Sequence, residues 1–147
     1  MLFARTLTLL LFTALPASAA DEAPQITLGN GDKNWIVTEG ASRDGATFVF
    51  PEVHIDGNGW LVMHGYKDGK PVGDKYVAAT YVTDGDNRDV SITVDSPPEK
   101  GQMFVVMLHR DVNENQEFDF VFVDKFNVLD KAVFEGTKMI AHHYPTP

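Results

Sequence analysis

The chain reads as an all-β protein, a β-sandwich of about eight short antiparallel strands behind a signal peptide. Three observations predict it. Short β-branched and aromatic runs recur along the sequence, and clusters of Gly, Pro, Asp and Asn separate them. Several runs alternate apolar and polar residues with a period of two. No segment carries a sustained apolar period of 3.6 residues, so helices are not expected. A partly closed barrel is the alternative architecture for such spacing.

The elements follow in chain order. "MLFARTLTLLLFTALPASA" has one positive residue, Arg5, then an apolar stretch, then Ala17-Ser18-Ala19. This is the layout of a secretory signal peptide cleaved after Ala19, residues 1–19. The apolar stretch is shorter than the roughly 20 residues that span a bilayer. Residues 20–147 are expected to form one β-sandwich domain, not integral to the membrane once cleaved, in the periplasm or outside the cell. "QITLG" and "NWIVTEG" are the first two strand candidates. "ATFVFPEVHI" is a third, in which Pro51 predicts an edge strand or a bulge. "GWLVMHGY" follows the turn signal "DGNG", and "DKYVAATYV" follows "KDGKPVGD". "DVSITVD" places Val90, Ile92 and Val94 on one face, with Ser91 and Thr93 on the other. "QMFVVMLHR" is apolar on both parities, as a strand buried on both faces must be. "FDFVFVD" reads as a strand with Phe118, Phe120 and Phe122 on one face, and "KAVFEGTKMIAHH" closes the chain. "WLVMHG" and "VVMLHRD" echo one another, each an apolar strand running into a histidine and a polar loop.

Charge narrows the partners. The 147 residues hold 12 basic and 21 acidic side chains, a net charge of −9. Without Arg5 the balance becomes 11 against 21, or −10. Such a chain repels phosphate backbones and anionic membranes, so nucleic acid is not an expected partner. Cations or a basic partner protein fit better, and a protein or carbohydrate partner stays unidentified. There is no cysteine. That removes thiol catalysis, disulfides, cysteine-bound zinc and the blue-copper site.

The loop "DVNENQEFD" carries the strongest site signal. Asp111, Asn113, Asn115, Glu117 and Asp119 stand at alternate positions, the spacing by which a curling backbone turns oxygen ligands inward around calcium. Glu117 would contribute its backbone carbonyl. Two features depart from a high-affinity calcium loop: Gln116 stands where the turn usually requires Gly, and Phe122 stands where a bidentate Glu would close the shell. Weak calcium binding is the reading, set against a plain polar turn.

Five histidines give a second candidate. His64 and His109, helped by His54 or by the pair His142 and His143, would bind copper or another transition metal, with Met63, Met107 and Met139 as soft donors. The mature chain would begin with Ala20 or Asp21, so a copper site built on an N-terminal histidine is not available. The methionines also fit ordinary core positions. A third reading is an enzyme or binder acting on extracellular polysaccharide, through a carboxylate pair or through Trp35 and Trp60 stacked on sugar rings. No catalytic motif supports it: there is no G-x-S-x-G elbow, no H-E-x-x-H and no phosphate-cradling glycine loop. Trp60 fits a core position.

From Gly45 to Val123 the order "DGATFVFPEVHIDGNGWLVMHG…GKPVGDKYVA…DVSITVD…FVVMLHRDVNENQEFDFV" resembles a domain-of-unknown-function family of archaeal and bacterial exported proteins. That family carries a "GG(F/W)-V-V-I-H" strand, a "G-x-V-I-G-x-S" turn and then "A-M-x-H-x-D-T-N-G-N-G-x-Y-D-F". His64, His109, Asp111, Asn113, Asn115 and Asp119 fall on matching positions. Gln116, and often Glu114, replace glycines of the family. The resemblance implies an immunoglobulin-like sandwich attached to surface or secreted proteins.

Overall fold

The computed structural model describes residues 23–147, and the expected signal peptide lies outside them. No helix forms among the described residues. Eleven strands build two sheets, and the sandwich is the architecture found. They are β1 (Thr27–Gly29), β2 (Trp35–Val37), β3 (Ser42–Asp44), β4 (Thr47–Ile55), β5 (Gly59–Lys67), β6 (Lys70–Pro71), β7 (Ala78–Val82), β8 (Gly85–Thr93), β9 (Met103–Arg110), β10 (Phe134–Glu135) and β11 (Lys138–Pro145). Five of them have three residues or fewer, which accounts for the excess over eight. The larger sheet runs β1-β11-β9-β5-β6, with β7 also on β5 and β10 on β11. The smaller runs β2-β4-β3, with β8 on the other side of β4. All pairings are antiparallel except β1 with β11, which is parallel.

The main core lies between the sheets. Phe48, Phe50, Val53, Ile55, Val90 and Ile92 of the smaller sheet meet Leu61, Met63, Phe104, Val106, Leu108, Ile140 and Tyr144 of the larger. Phe48 stands edge-on to Phe104, with centroids 5.7 Å apart, and Tyr144 packs on Phe50 at 5.2 Å. The alternation expected for Val90, Ile92 and Val94 is found, with Ser91 and Thr93 exposed.

Pro51 interrupts the pairing without an extra residue on either strand, and it is not at an edge, because β4 lies in the middle of its sheet. Phe48 and Phe50 face inward on even positions, whereas beyond Pro51 the inward residues are Val53 and Ile55. The register with β8 is constant from Thr47↔Thr93 to Ile55↔Gly85, but Pro51 and Asp89 drop out of the pairing, and Asp89 takes a φ of 49°. On the other side of β4, the neighbour changes at the same place from β3 to β2. The missing N–H of proline therefore falls in a gap between partners.

The strand β9 is buried on both faces, as its composition requires. Phe104, Val106 and Leu108 enter the main core; Val105 and Met107 enter a second cluster with Trp60, Val62 and Ala141 on the outer face of the larger sheet. Trp60 is therefore buried, but in this outer cluster. The segment from Asp111 to Asp130 folds back over that face. "FDFVFVD" is not a strand. Phe118, Phe120 and Phe122 do lie in one contiguous stack, with centroids 5.6 and 5.7 Å apart. The segment crosses a sheet face, however, and has no strand edge beside it. Its backbone bonds are local instead: Phe120 N–H to Phe118 O, Leu129 N–H to Val121 O and Val123 N–H to Asn127 O.

Candidate functional site

The outer face of the larger sheet brings both sequence-predicted metal sites together. At the end of β9 the chain leaves the sheet at Asp111 and returns at Lys131, where Arg110 N–H bonds to Lys131 O at 2.8 Å. The calcium candidate forms the first turn of this excursion. Asp111 is buried, and its two carboxylate oxygens accept the N–H groups of Asn115 at 3.3 Å and Gln116 at 3.0 Å. Asp119 Oδ2 accepts from the side-chain amides of both Asn113 (2.8 Å) and Asn115 (2.9 Å). Glu117 donates its N–H to Asn115 Oδ1 at 2.8 Å, and its side chain is exposed. Glu114 and Gln116 take left-handed φ values of 56° and 59°. These are the two positions of glycine replacement, so the backbone curls without glycine, at a conformational cost.

Asp130, which no motif singles out, clamps this loop. It is fully buried, and its oxygens accept Val112 N–H at 3.2 Å and Asp119 N–H at 3.0 Å, the two ends of the turn. Burial raises its pKa; the N–H groups of Asp119 and Val112 oppose the rise, and the charges of Asp111 and Asp119 add to it. The only sequence signal was an aspartate following the apolar pair Val128-Leu129, which a loop residue imitates.

The histidines divide. His64 and His109 lie on adjacent strands β5 and β9 with ring centroids 6.0 Å apart. Each is 3% exposed. His64 Nδ1 meets Lys75 O and His109 Nδ1 meets Asp130 O, both at 2.6 Å. Burial lowers both pKa values, that of His109 to about 4, so both are neutral at pH 7. Of the others, His143 lines the same cavity as this pair, while His54 and His142 lie outside it. His54 stacks on Trp35 with centroids 3.9 Å apart and bonds Asp86; His142 bonds Asn30; His143 bonds the Tyr66 hydroxyl. Trp35 also donates to Glu52, and one of its faces is covered by His54. Among the described residues no three His, Asp or Glu side chains gather into a metal-binding cluster.

Beside the histidine pair a cavity of about 510 Å³ opens between the sheet and the excursion. Met107, Met139, Phe120 and Phe122 line it, and no carboxylate does. It therefore offers no acid–base pair for sugar chemistry. Among the described residues, no helix is long and apolar enough to cross a membrane.

Fold and site together define an acidic two-sheet β-sandwich with an Asp/Asn loop and a buried histidine pair on one outer face. Residues 35–142 match the family described as Domain of unknown function (DUF7282), and the chain belongs to that family. It is also similar to two surface proteins of Haloarcula hispanica. Cell surface glycoprotein 2 is 31% identical over 77 residues, and Cell surface glycoprotein 1 is 29% identical over 77. Each match covers 52% of this chain and 8% of the glycoprotein, so the chain corresponds to a small part of those relatives. No solved structure matches.

Proposed function

We propose that this chain is an exported module of the periplasm or cell surface with a binding or structural role, braced by a weakly held calcium ion in the loop from Asp111 to Asp119. Two relatives named as cell surface glycoproteins support the location. The observation that carries the calcium reading is the focus on Asp119, whose Oδ2 receives the amides of both Asn113 and Asn115. A half-turn of either carboxamide exchanges nitrogen for oxygen at nearly the same point. Asn113, Asn115 and Asp119 would then present oxygens toward one point, and on this reading Asp111 and the carbonyl of Glu117 would complete the set. Two carboxylates and no closing bidentate Glu favour affinity near 1 mM, in the range of extracellular modules.

Binding to the folded state alone raises stability by RT ln(1 + [Ca]/Kd). With a Kd of ~1 mM, 10 mM calcium adds about 1.4 kcal/mol, a rise of several degrees in melting temperature. The test compares melting in EDTA, in 10 mM calcium and in 10 mM magnesium, with the Asp119→Asn variant alongside. A calcium-specific rise that Asp119→Asn abolishes supports the reading. Superimposable curves in EDTA and calcium overturn it.

A further inference from the structure

We propose that His64 and His109, with the thioether of Met107 from the row between theirs, form a binding site for a soft monovalent cation of the copper(I) type. The register places them. Trp60 pairs with His109, Val62 with Met107 and His64 with Val105, so the histidines sit on one diagonal of a single sheet face, across the Val62–Met107 row. Their rings nonetheless approach to 6.0 Å, leaning toward each other over that row.

The tautomers follow from the partners. A backbone carbonyl only accepts, so the Nδ1 atoms facing Lys75 O and Asp130 O carry the protons. Each Nε2 then holds a lone pair. Carbonyl-pinned Nδ1–H groups of this kind fix the orientation of metal-binding imidazoles. Both Nε2 atoms are buried and have no hydrogen-bond partner among the described residues. Two unsatisfied acceptors side by side in an apolar face call for an occupant, since buried polar groups are almost always paired.

The lining chooses its chemistry. Met107 and Met139 border the same cavity as the two histidines; so does His143, whose Nδ1 is taken by the Tyr66 hydroxyl, and the charged residue there, Lys131, is solvent-exposed. A neutral set of imidazole and thioether donors leaves the ion's charge uncompensated. The cost of burying that charge grows with its square, so a monovalent ion is favoured over zinc or copper(II). Soft sulfur and imidazole donors select copper(I) among such ions. Phe118 and Phe120 pack around the imidazoles, with centroids 5.3 Å from His109 and 5.7 Å from His64. They screen the site from water. An uncharged organic molecule donating hydroxyl groups to the two nitrogens is the competing occupant.

The test is an anaerobic titration of the whole chain with copper(I) against a chromophoric chelator, followed by long-range nitrogen NMR of the imidazoles. One equivalent is expected to bind, shifting the Nε2 signals of His64 and His109 but not those of His54 and His142. His64→Gln and His109→Gln should each weaken binding at least a hundredfold. Met107→Leu, close in shape and safe for folding, should weaken it about tenfold. No copper(I) binding by the native chain, or bound copper(I) that leaves both Nε2 signals unmoved, overturns the proposal and leaves the organic occupant. Calcium melting reads a different set of atoms, so either site can fail without the other.

Discussion

The imidazole of His109 is buried, and burial holds its pKa down to about 4, opposed by its bond to the Asp130 carbonyl and aided by the nearby His64. Its unfolded value is near 6.5. The folded value is lower, so the stability it contributes is present in full above pH 6.5. That stability is lost as pH falls from 6.5 to about 4. The linkage amounts to about 3 kcal/mol at most. Urea unfolding at pH 7, 5.5 and 4 should show this decline, and His109→Gln should flatten it; an equal slope in the variant would refute the assignment. His64 shifts in the same direction for the same first cause. Asp130 presents the other kind of buried group. Asp130→Ala would strand Val112 N–H and Asp119 N–H. The expected loss is about 2 kcal/mol or more. Hydrogen exchange should quicken at those two amides, and any calcium-dependent rise in melting temperature should vanish.

At the scale of elements, the loop and the strand pair beneath it each carry a glycine argument. Glu114 and Gln116 hold left-handed conformations that cost an L-residue roughly 1–2 kcal/mol each. Gln116→Gly should therefore stabilise the fold by up to about 1 kcal/mol, after the added chain entropy is deducted. If calcium binds, its affinity should also tighten, which a paired melting series would measure. Gly59 shows the reverse. A methyl group there would stand inside contact distance of the His109 carbonyl oxygen, a backbone atom that cannot step aside. Gly59→Ala should cost about 1–3 kcal/mol or more, measured by denaturant midpoint. These cases also show what a sequence displays. Period-two alternation marked β8, which has one face that must be dry; β9 was marked by an unbroken apolar run, because both its faces are covered, and β4 and β5 by β-branched and aromatic runs between turn signals. The Asp/Asn spacing marked the loop, because its side chains alternate there too. The same alternation misled at "FDFVFVD", since apolar residues on one side require a surface to cover, not a neighbouring strand. Three-residue β3 and two-residue β6 and β10 are too short to show a period. Asp130 was hidden because its role depends on backbone groups 11 and 18 residues away.

For the molecule as a whole, a net charge of −9 means mutual repulsion among surface carboxylates. Screening should relieve it, the Debye length falling from about 30 Å at 0.01 M salt to about 8 Å at 0.15 M. Melting temperature should therefore rise between 10 and 150 mM sodium chloride in EDTA; a flat response would show that the charges are already well dispersed. Beyond that plateau, a further gain from millimolar calcium isolates the loop from general screening. The parallel pairing of β1 with β11 has a separate consequence. Thr27 to Gly29 lie beside Lys138 to Ile140, and β11 sits inside the larger sheet although it is the last of the described strands. Without the segment that forms β11, Phe48 and Phe50 lose the ring of Tyr144 and the two sheets cannot close on one another. The first and last of the described strands are thus joined edge to edge, so trimming either one loosens the same border of the larger sheet.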